Sequence, residues 1–229
     1  MKRLAIIPAR GGSKRIPRKN IKLFRGLPII TYSIRAALKS NLFDEVMVST
    51  DDEEIATLAK QHGASTPFKR SLETSNDAAR IIDVIKEVLN SYKTTGKITF
   101  DSVCCILPTA PLIQIHDLKR ALELLEKKRF DSVFPVAKFS YPIFRALEKH
   151  DDKINMFWPE NYNKRSQDLP PAFHDAGQFY WINPEKCFNE DSLFTTNSGA
   201  IELSELYVQD IDTEDDWKLC ELKQSLIHD

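Results

Sequence analysis

A basic, glycine-containing loop follows the first apolar run of the chain, residues 4–7. Gly11 and Gly12 permit backbone conformations with positive φ and let backbone N–H groups come close to a ligand. A loop of this kind at the end of a strand is typical of a triphosphate site, and a basic loop that is merely solvated is the alternative. The basic residues between positions 10 and 22 are Arg10, Lys14, Arg15, Arg18, Lys19 and Lys22.

Two familiar phosphate-binding motifs are absent from the loop. The sequence contains neither G-x-x-x-x-G-K-[ST] nor G-x-G-x-x-G at this point. The loop therefore argues against a P-loop and against the usual dinucleotide site.

Two aspartates near the end of the chain, Asp210 and Asp212, are separated by Ile211. If this stretch is a strand, both carboxylates project from the same face. Paired carboxylates beside a triphosphate are a common way to hold Mg²⁺, with phosphate oxygens and water completing the coordination. The alternative is that Asp212 caps the following helix, with Asp215 at its third position. The spacing alone leaves both interpretations open.

Together with later motifs, the loop resembles the signature of the CMP-sialic acid synthetase family, the cytidylyltransferases of nonulosonic acids. The matching positions are residues 10–14, 16–17, 19–20, 48–51, Arg70, Asp77, 108–112, Arg165 and 210–212. The resemblance runs the whole chain. It implies an enzyme that takes CTP and an acid sugar as substrates and uses Mg²⁺, and whose product serves glycosylation of flagellin or other bacterial surface structures.

The resemblance also implies roles for individual residues. The metal is expected on Asp210 and Asp212. The reaction is expected to depend on Arg10, Lys19, Asp212 and Arg165. The nucleotide is expected on Arg10, Gly11, Gly12, Ser13, Lys14, Lys19, Asn20, Arg70 and Asp77. The sugar is expected on Leu107, Tyr141, Arg165, His174 and Gln178.

Some of these residues have simpler interpretations when they are taken alone. Arg70 is then a surface arginine, and a single His174 is more often structural than a ligand. Asp51 and Asp52 follow a predicted strand, where an aspartate is at least as often a helix cap as a catalytic group.

The chain departs from the N-acetylneuraminic acid enzymes of the family at one motif. Those enzymes typically have Gln before Pro-Thr-Ser-Pro-Leu-Arg, whereas this chain has Leu107 before Pro-Thr-Ala-Pro-Leu-Ile. Loss of a hydrogen-bonding group disfavours a sugar that needs that bond. With segments 139–142, 158–161 and 174–181, Leu107 makes the chain similar to the pseudaminic acid branch, whose sugar is less polar. We therefore expect CMP transfer to pseudaminic acid with release of pyrophosphate.

Apolar runs alternate with segments of helical spacing over most of the chain. The expected strands are residues 4–7, 46–50, 103–107, 133–136 and 176–182. The expected helices carry apolar residues within 30–38, 55–59, 81–92, 118–125 and 217–222. This order predicts an α/β fold with a Rossmann-like, doubly wound, mostly parallel sheet, and the resemblance narrows it to the nucleotide-diphospho-sugar transferase type. Ligands then lie beyond the carboxyl ends of the strands.

Residues 139–175 break this alternation. They are rich in Pro, Tyr, Phe, Trp and Asn, lack helical spacing, and predict a hairpin near Asp151. We interpret residues 1–229 as one nucleotidyltransferase domain with 139–175 as an inserted arm or lid. Exposure of so many aromatic side chains to water is unfavourable. The arm is therefore predicted to pack against a second subunit, as in the homodimers of the family.

Composition excludes several classes of function. The chain has 229 residues, of which 42% are hydrophobic and 28% charged, which is typical of a globular protein. A net charge of -1 argues against a nucleic-acid or membrane-surface protein. The four cysteines show no metal-binding spacing and predict buried, reduced thiols, so we expect a cytoplasmic protein. They are Cys104, Cys105, Cys187 and Cys220.

Three other functions stay open at this stage. The same loop and acidic pair would serve another acid sugar: legionaminic acid, N-acetylneuraminic acid or 3-deoxy-manno-octulosonic acid. A non-catalytic nucleotide-binding regulator is a second class, against which the retention of Lys19, Asp210 and Asp212 argues. A nucleic-acid-binding module is a third, and one short basic patch makes it a weak one.

Overall fold

The computed structural model describes the backbone of residues 1–228 and the side chains of residues 1–227. The strands are β1 Arg3–Pro8, β2 Leu23–Phe24, β3 Leu27–Pro28, β4 Glu45–Ser49, β5 Ser102–Ile106, β6 Ser132–Lys138, β7 Leu147–His150, β8 Lys153–Met156, β9 Phe173–Asp175, β10 Phe179–Ile182 and β11 Ser198–Leu203. The helices are α1 Ile30–Ser40, α2 Glu53–Gln61, α3 Leu72–Ser75, α4 Ile81–Gly96, α5 Ile115–Lys128, α6 Pro184–Asn189 and α7 Glu214–His228. No helix of this described part is both long and apolar enough to cross a membrane.

A seven-stranded mixed sheet forms the centre of the molecule. Its main order is β11-β6-β10-β5-β1-β4, and β9 pairs with β6 in addition. The strand β1 is parallel to β4 and β5, and β11 is parallel to β6, whereas β9 and β10 run antiparallel to their neighbours. The predicted α/β fold with a mostly parallel sheet is therefore confirmed.

Hydrophobic side chains cover the sheet on both faces. In β1, Ala5 belongs to one core and Leu4 to the other, because successive side chains of a strand point to opposite faces. The neighbouring thiols of Cys104 and Cys105 are divided in the same way, and both are buried and free. The two cores explain why β5 is a continuous apolar run.

The middle of the sheet differs from the sequence prediction. The strand expected at 176–182 begins only at Phe179, because Gly177 makes a turn with a φ of 62° and donates its N–H to Asp175 Oδ1 at 2.9 Å. This strand, β10, is inserted antiparallel between β5 and β6. The sequence analysis missed β11 because its alternating burial gives only a short apolar pattern.

Residues 139–175 contain the hairpin expected near Asp151, formed by β7 and β8. The remainder is short turns of 3-10 helix and β9, which pairs antiparallel with residues 136–138 of β6. Large apolar side chains of this segment are exposed. They are Phe139, Tyr141, Leu147, Ile154, Phe157, Trp158, Tyr162 and Phe173.

Candidate active site

A cavity of about 470 Å³ opens beyond the carboxyl ends of β1 and β5. The basic loop supplies one part of its wall, and residues between positions 70 and 84 and residues directly after β5 supply others. The predicted site residues that line it are Arg10, Ser13, Lys14, Lys19, Asn20, Arg70, Asp77 and Leu107. The fold thus brings together most of the residues expected to contact the nucleotide, at the edge of the sheet where ligands of α/β proteins usually bind.

Internal hydrogen bonds hold the basic loop against the sheet. The buried Asn20 donates from Nδ2 to the carbonyl oxygen of Arg10 at 2.9 Å. The N–H of Gly11 donates to Asp51 Oδ1 at 3.0 Å. Asn20 therefore fixes the backbone that carries Arg10, and the Gly11 N–H is engaged within the protein.

Gly11 is needed for space rather than for a special backbone angle. Neither Gly11 nor Gly12 has a positive φ, so the left-handed conformation that the sequence permits is not adopted. A Cβ on Gly11 would lie 2.7 Å from Asp52 Oδ2, whereas the space around Gly12 is open. Asp52 is itself fixed, because it caps α2 by accepting the N–H groups of Glu54 and Ile55, each at 3.0 Å. The helix-cap interpretation is therefore confirmed for Asp52.

One carboxylate, Asp77, pairs with two cations of the loop. Arg10 Nη1 lies 2.5 Å from Asp77 Oδ1, and Lys14 Nζ pairs with Oδ2. Hydrogen bonds from Lys14 and then from Arg10 lower the pKa of the Asp77 carboxyl. Asp77 is thus a charged anion in contact with the basic wall of the cavity.

Arg70 is buried in the wall, so the interpretation as a surface arginine is wrong. Its Nε donates to Ser49 Oγ at 3.0 Å, whereas its Nη2 is buried without a partner among the described residues. Burial lowers the pKa of the guanidinium, and the charge of Asp51 opposes this effect. An unpartnered, buried donor beside a cavity is suited to an oxygen atom of a ligand.

The acidic pair lies beside the basic loop. Arg15 Nη2 is 2.7 Å from Asp212 Oδ1, and Lys19 Nζ is 3.6 Å from the same oxygen. Lys19 also donates to the carbonyl oxygen of Ile211 at 2.6 Å. Desolvation by the surrounding protein, followed by the charge of Asp212, raises the pKa of Asp210.

The local structure around the pair differs from both sequence interpretations. Residues 210–212 are not a strand, so their spacing does not by itself put the two carboxylates on one face. Asp212 does not cap α7 either. Thr213 Oγ1 accepts the N–H of Asp216 at 3.2 Å, and the Asp216 carboxylate accepts the N–H of Thr213 at 2.7 Å. This reciprocal cap leaves the carboxylate of Asp212 available to the basic loop.

The composition of the pair suits a divalent cation. Carboxylate oxygens are the hard ligands that Mg²⁺ prefers, and two like charges with one raised pKa are the arrangement that a cation relieves. Among the described residues, no group of three or more His, Cys, Asp or Glu side chains forms a metal site. An ion on Asp210 and Asp212 would therefore need further ligands from phosphate or water.

The residues predicted to contact the sugar do not share one cavity, in contrast to most of those predicted to contact the nucleotide. Only Leu107 lines the cavity. Arg165 pairs with Asp168 at 2.8 Å on an exposed turn, and Tyr141 is 84% exposed. A ring nitrogen of His174 lies 2.9 Å from the carbonyl oxygen of Asp175.

Gln178 does not line the cavity, but it contacts Leu107, which does. It is buried, donates from Nε2 to the carbonyl oxygen of Tyr207 at 2.5 Å, and leaves Oε1 without a partner in the described part of the chain. Its own carbonyl oxygen accepts the N–H of Leu107 at 2.8 Å. Gln178 thus supports the position of Leu107.

The sequence analysis missed one group of residues at the cavity. Thr74, Asn76 and Ala79 line it on the segment that carries Asp77, and the polar composition of that segment was the available signal.

Comparison with known proteins gives consistent similarities. A model of the cytidylyltransferase family matches residues 4–221. The chain is 42% identical over 230 residues to the pseudaminic acid cytidylyltransferase of Campylobacter jejuni, covering 100% of this chain and 99% of the relative. It is 33% identical over 241 residues to the CMP-N,N'-diacetyllegionaminic acid synthase of Legionella pneumophila, covering 99% and 100%.

A solved structure supports the fold independently. The CMP:2-keto-3-deoxy-manno-octonic acid synthetase complexed with CTP superposes with a TM-score of 0.73 over 99% of this chain and 100% of that chain. The sequence identity is 18%, so this likeness bears on the fold alone. The α/β arrangement expected from the sequence is therefore also the arrangement of a nucleotide-sugar synthetase.

Proposed function

This chain belongs to the cytidylyltransferase family, and we propose from that premise that it activates pseudaminic acid, transferring CMP from CTP and releasing pyrophosphate. Membership makes it a CTP-dependent nucleotidyltransferase. The observation that carries the proposal is the cavity beyond β1 and β5, whose wall combines the cations of the basic loop with the apolar Leu107. The full-length similarity to a pseudaminic acid cytidylyltransferase supports the choice of sugar.

The basic loop accounts for the phosphate chemistry. The anomeric hydroxyl of the sugar attacks the α-phosphorus in line, and the bond to the pyrophosphate oxygen breaks as the new P–O bond forms. Arg10, Lys14 and Lys19 stabilise the charge that grows on the leaving pyrophosphate. Gly12 and Ser13 add backbone and hydroxyl donors. Arg70 offers its unpartnered Nη2 to the nucleotide.

Asp210 and Asp212 would hold the Mg²⁺ ion that we propose as cofactor. When bound, the ion neutralises charge on the phosphate oxygens. The protein supports this place through Arg15 and Lys19, which contact Asp212 from the basic loop. Lys19 connects the basic loop to the acidic pair, because it also donates to the carbonyl oxygen of Ile211, which lies between the two aspartates.

Leu107 is the proposed specificity residue. It presents an apolar side chain in the cavity wall, and pseudaminic acid is a deoxygenated, di-N-acylated sugar. We retain Arg165 as the partner of the sugar carboxylate, since its present pair with Asp168 is exposed and such pairs contribute little energy. Tyr141, His174 and Gln178 remain proposed sugar contacts with weaker support from their positions.

The arm supports a homodimer. Its exposed aromatic side chains form a surface that is unfavourable in water, and Tyr141 and Tyr162 are the most exposed of them. We place the enzyme in the cytoplasm because all four cysteines are free and buried. The CMP-sugar would then serve glycosylation of bacterial surface structures such as flagellin.

The test is pyrophosphate release from CTP and Mg²⁺ with pseudaminic acid and N-acetylneuraminic acid side by side, and with legionaminic acid as a third substrate. We expect turnover with pseudaminic acid at a kcat/KM well above that for the other two. Preference for another of these sugars would overturn the choice of substrate while leaving the reaction in place. CTP binding without pyrophosphate release for every acid sugar would point to a regulator.

A further inference from the structure

Asp77 contacts the cations that the proposed function assigns to the triphosphate. Each of its two carboxylate oxygens is occupied, one by Arg10 at 2.5 Å and the other by Lys14. Asp77 also lines the cavity itself. A carboxylate repels a phosphate group, so a direct contact between Asp77 and the triphosphate would be unfavourable.

The segment that carries Asp77 is anchored at its other end. Glu87 of α4 accepts the N–H of Ser71 at 2.8 Å, the hydroxyl of Ser71 at 2.9 Å and the hydroxyl of Thr74. Ser71 caps the short helix α3, after which the chain turns to Asp77. The segment is therefore fixed to α4 near Ser71, and at Asp77 it reaches the basic loop through ion pairs.

We propose that Asp77 is an internal competitor of the triphosphate: it occupies Arg10 and Lys14 while no nucleotide is bound, and the triphosphate displaces it. This inference rests on the proposed function for the identity of the polyphosphate. The triphosphate carries more charge than one carboxylate, so it wins the exchange. The same competition favours release of pyrophosphate, because Asp77 regains the two cations as the product leaves.

Removal of the Asp77 carboxylate should change the affinity for polyphosphate in opposite directions for competition and for the other possible roles of this residue. If Asp77 oriented the two cations for the ligand or bonded to the nucleotide, its removal would weaken binding. If Asp77 competes, its removal strengthens the binding of any polyphosphate. Tripolyphosphate tests this without a nucleoside or a sugar.

The experiment is calorimetric titration of the wild type, Asp77→Asn and Asp191→Asn with tripolyphosphate, CTP and CMP. Asp191 is a matched control. It also bridges two cations, Arg80 at 2.7 Å and Lys86, its side chain is 49% exposed like that of Asp77, and it does not line the cavity. Both variants change net charge equally, so the control removes the effect of overall charge. Thermal unfolding checks that both fold.

For Asp77→Asn we expect tripolyphosphate and CTP to bind about three- to tenfold more tightly, as two exposed ion pairs allow, with CMP unchanged. Asp191→Asn should match the wild type. The competition would be contradicted if Asp77→Asn bound polyphosphate as the wild type does or more weakly. It would also be contradicted if Asp191→Asn gained the same affinity for polyphosphate. If wild-type turnover is normal in that case, the proposed function stands. If Asp77→Asn binds tripolyphosphate more tightly but no acid sugar yields pyrophosphate, the proposed function is wrong, whereas the competition by Asp77 is confirmed.

Discussion

The basic loop, residues 10–20, and the arm, residues 139–175, are built in opposite ways. The loop is fixed by contacts inside the protein, from the buried Asn20 and from the Gly11 N–H, and its cations face a cavity. The arm consists of a hairpin and short turns that expose aromatic side chains. Most of the predicted nucleotide contacts share the cavity, whereas the predicted sugar contacts on the arm lie outside it.

This difference shows what a single chain of this fold provides. The loops that follow β1 and β5 diverge beyond the carboxyl ends of these strands and leave a cavity between them. The position of the proposed phosphate site therefore follows from the sheet itself. The proposed sugar contacts Tyr141, Arg165 and His174 lie on the arm, whose large apolar side chains are exposed. The comparison predicts that damage to the loop side stops the chemistry, and that damage to the arm side alters assembly and substrate preference.

The largest expected effect belongs to the loop side. Asp212→Ala should reduce kcat by at least about 10³-fold, because it removes a proposed ligand of Mg²⁺ and leaves Arg15 and Lys19 without their acidic partner. Thermal unfolding should be nearly unchanged, since Thr213 and not Asp212 caps α7. Steady-state pyrophosphate release, titrated with Mg²⁺, is the measurement.

The matched control for that variant is Asp215→Ala. Asp215 lies on the first turn of α7, and its side chain is 92% exposed. We expect this variant to retain wild-type kcat. Full activity of Asp212→Ala with normal dependence on Mg²⁺ would remove the acidic pair from the mechanism.

The next effect tests the arm. Phe157→Glu should raise the dissociation constant of the proposed homodimer about 100-fold, because a charge replaces an apolar side chain in the expected interface. Sedimentation at micromolar concentration measures the change. Leu222→Glu is the control, since Leu222 is 59% exposed against 56% for Phe157 but lies on α7. A wild type that is already monomeric would refute the assembly predicted for the arm.

The two regions also differ in how far the sequence predicts them. Local patterns identified the strands β1, β4, β5 and β6 and the basic loop, because helical spacing and apolar runs are properties of neighbouring residues. The antiparallel insertion of β10 depends on partners distant in the chain, and nothing local encodes it. The same limit applies to the cap of α7. The sequence offered Asp212 as the capping residue, whereas the hydrogen bonds show that Thr213 caps the helix together with Asp216.

A third prediction tests whether the loop depends on close packing. Gly11→Ala should lower the free energy of unfolding by about 1–3 kcal/mol, because the new Cβ would lie 2.7 Å from Asp52 Oδ2. Asp52 cannot move away easily, since its Oδ1 accepts N–H groups of α2 and its Oδ2 pairs with Arg18. Gly12→Ala should leave the free energy of unfolding within about 0.5 kcal/mol of the wild type, since the surroundings of Gly12 are open. Chemical denaturation of both variants measures their free energies of unfolding. Equal values would show that the loop can move to accommodate a Cβ at position 11.

The smallest effect is expected at Leu107, which lines the cavity together with the basic loop. Leu107→Gln introduces an amide into the cavity wall next to the buried Gln178, and should shift the ratio of kcat/KM for pseudaminic acid to that for N-acetylneuraminic acid by about tenfold toward the latter. The shift is modest because one hydrogen bond changes while the cations of the loop are untouched. Competition kinetics with both sugars in one reaction measure the ratio directly. If the ratio does not move, the choice of sugar resides in the arm rather than in the wall that the sheet provides.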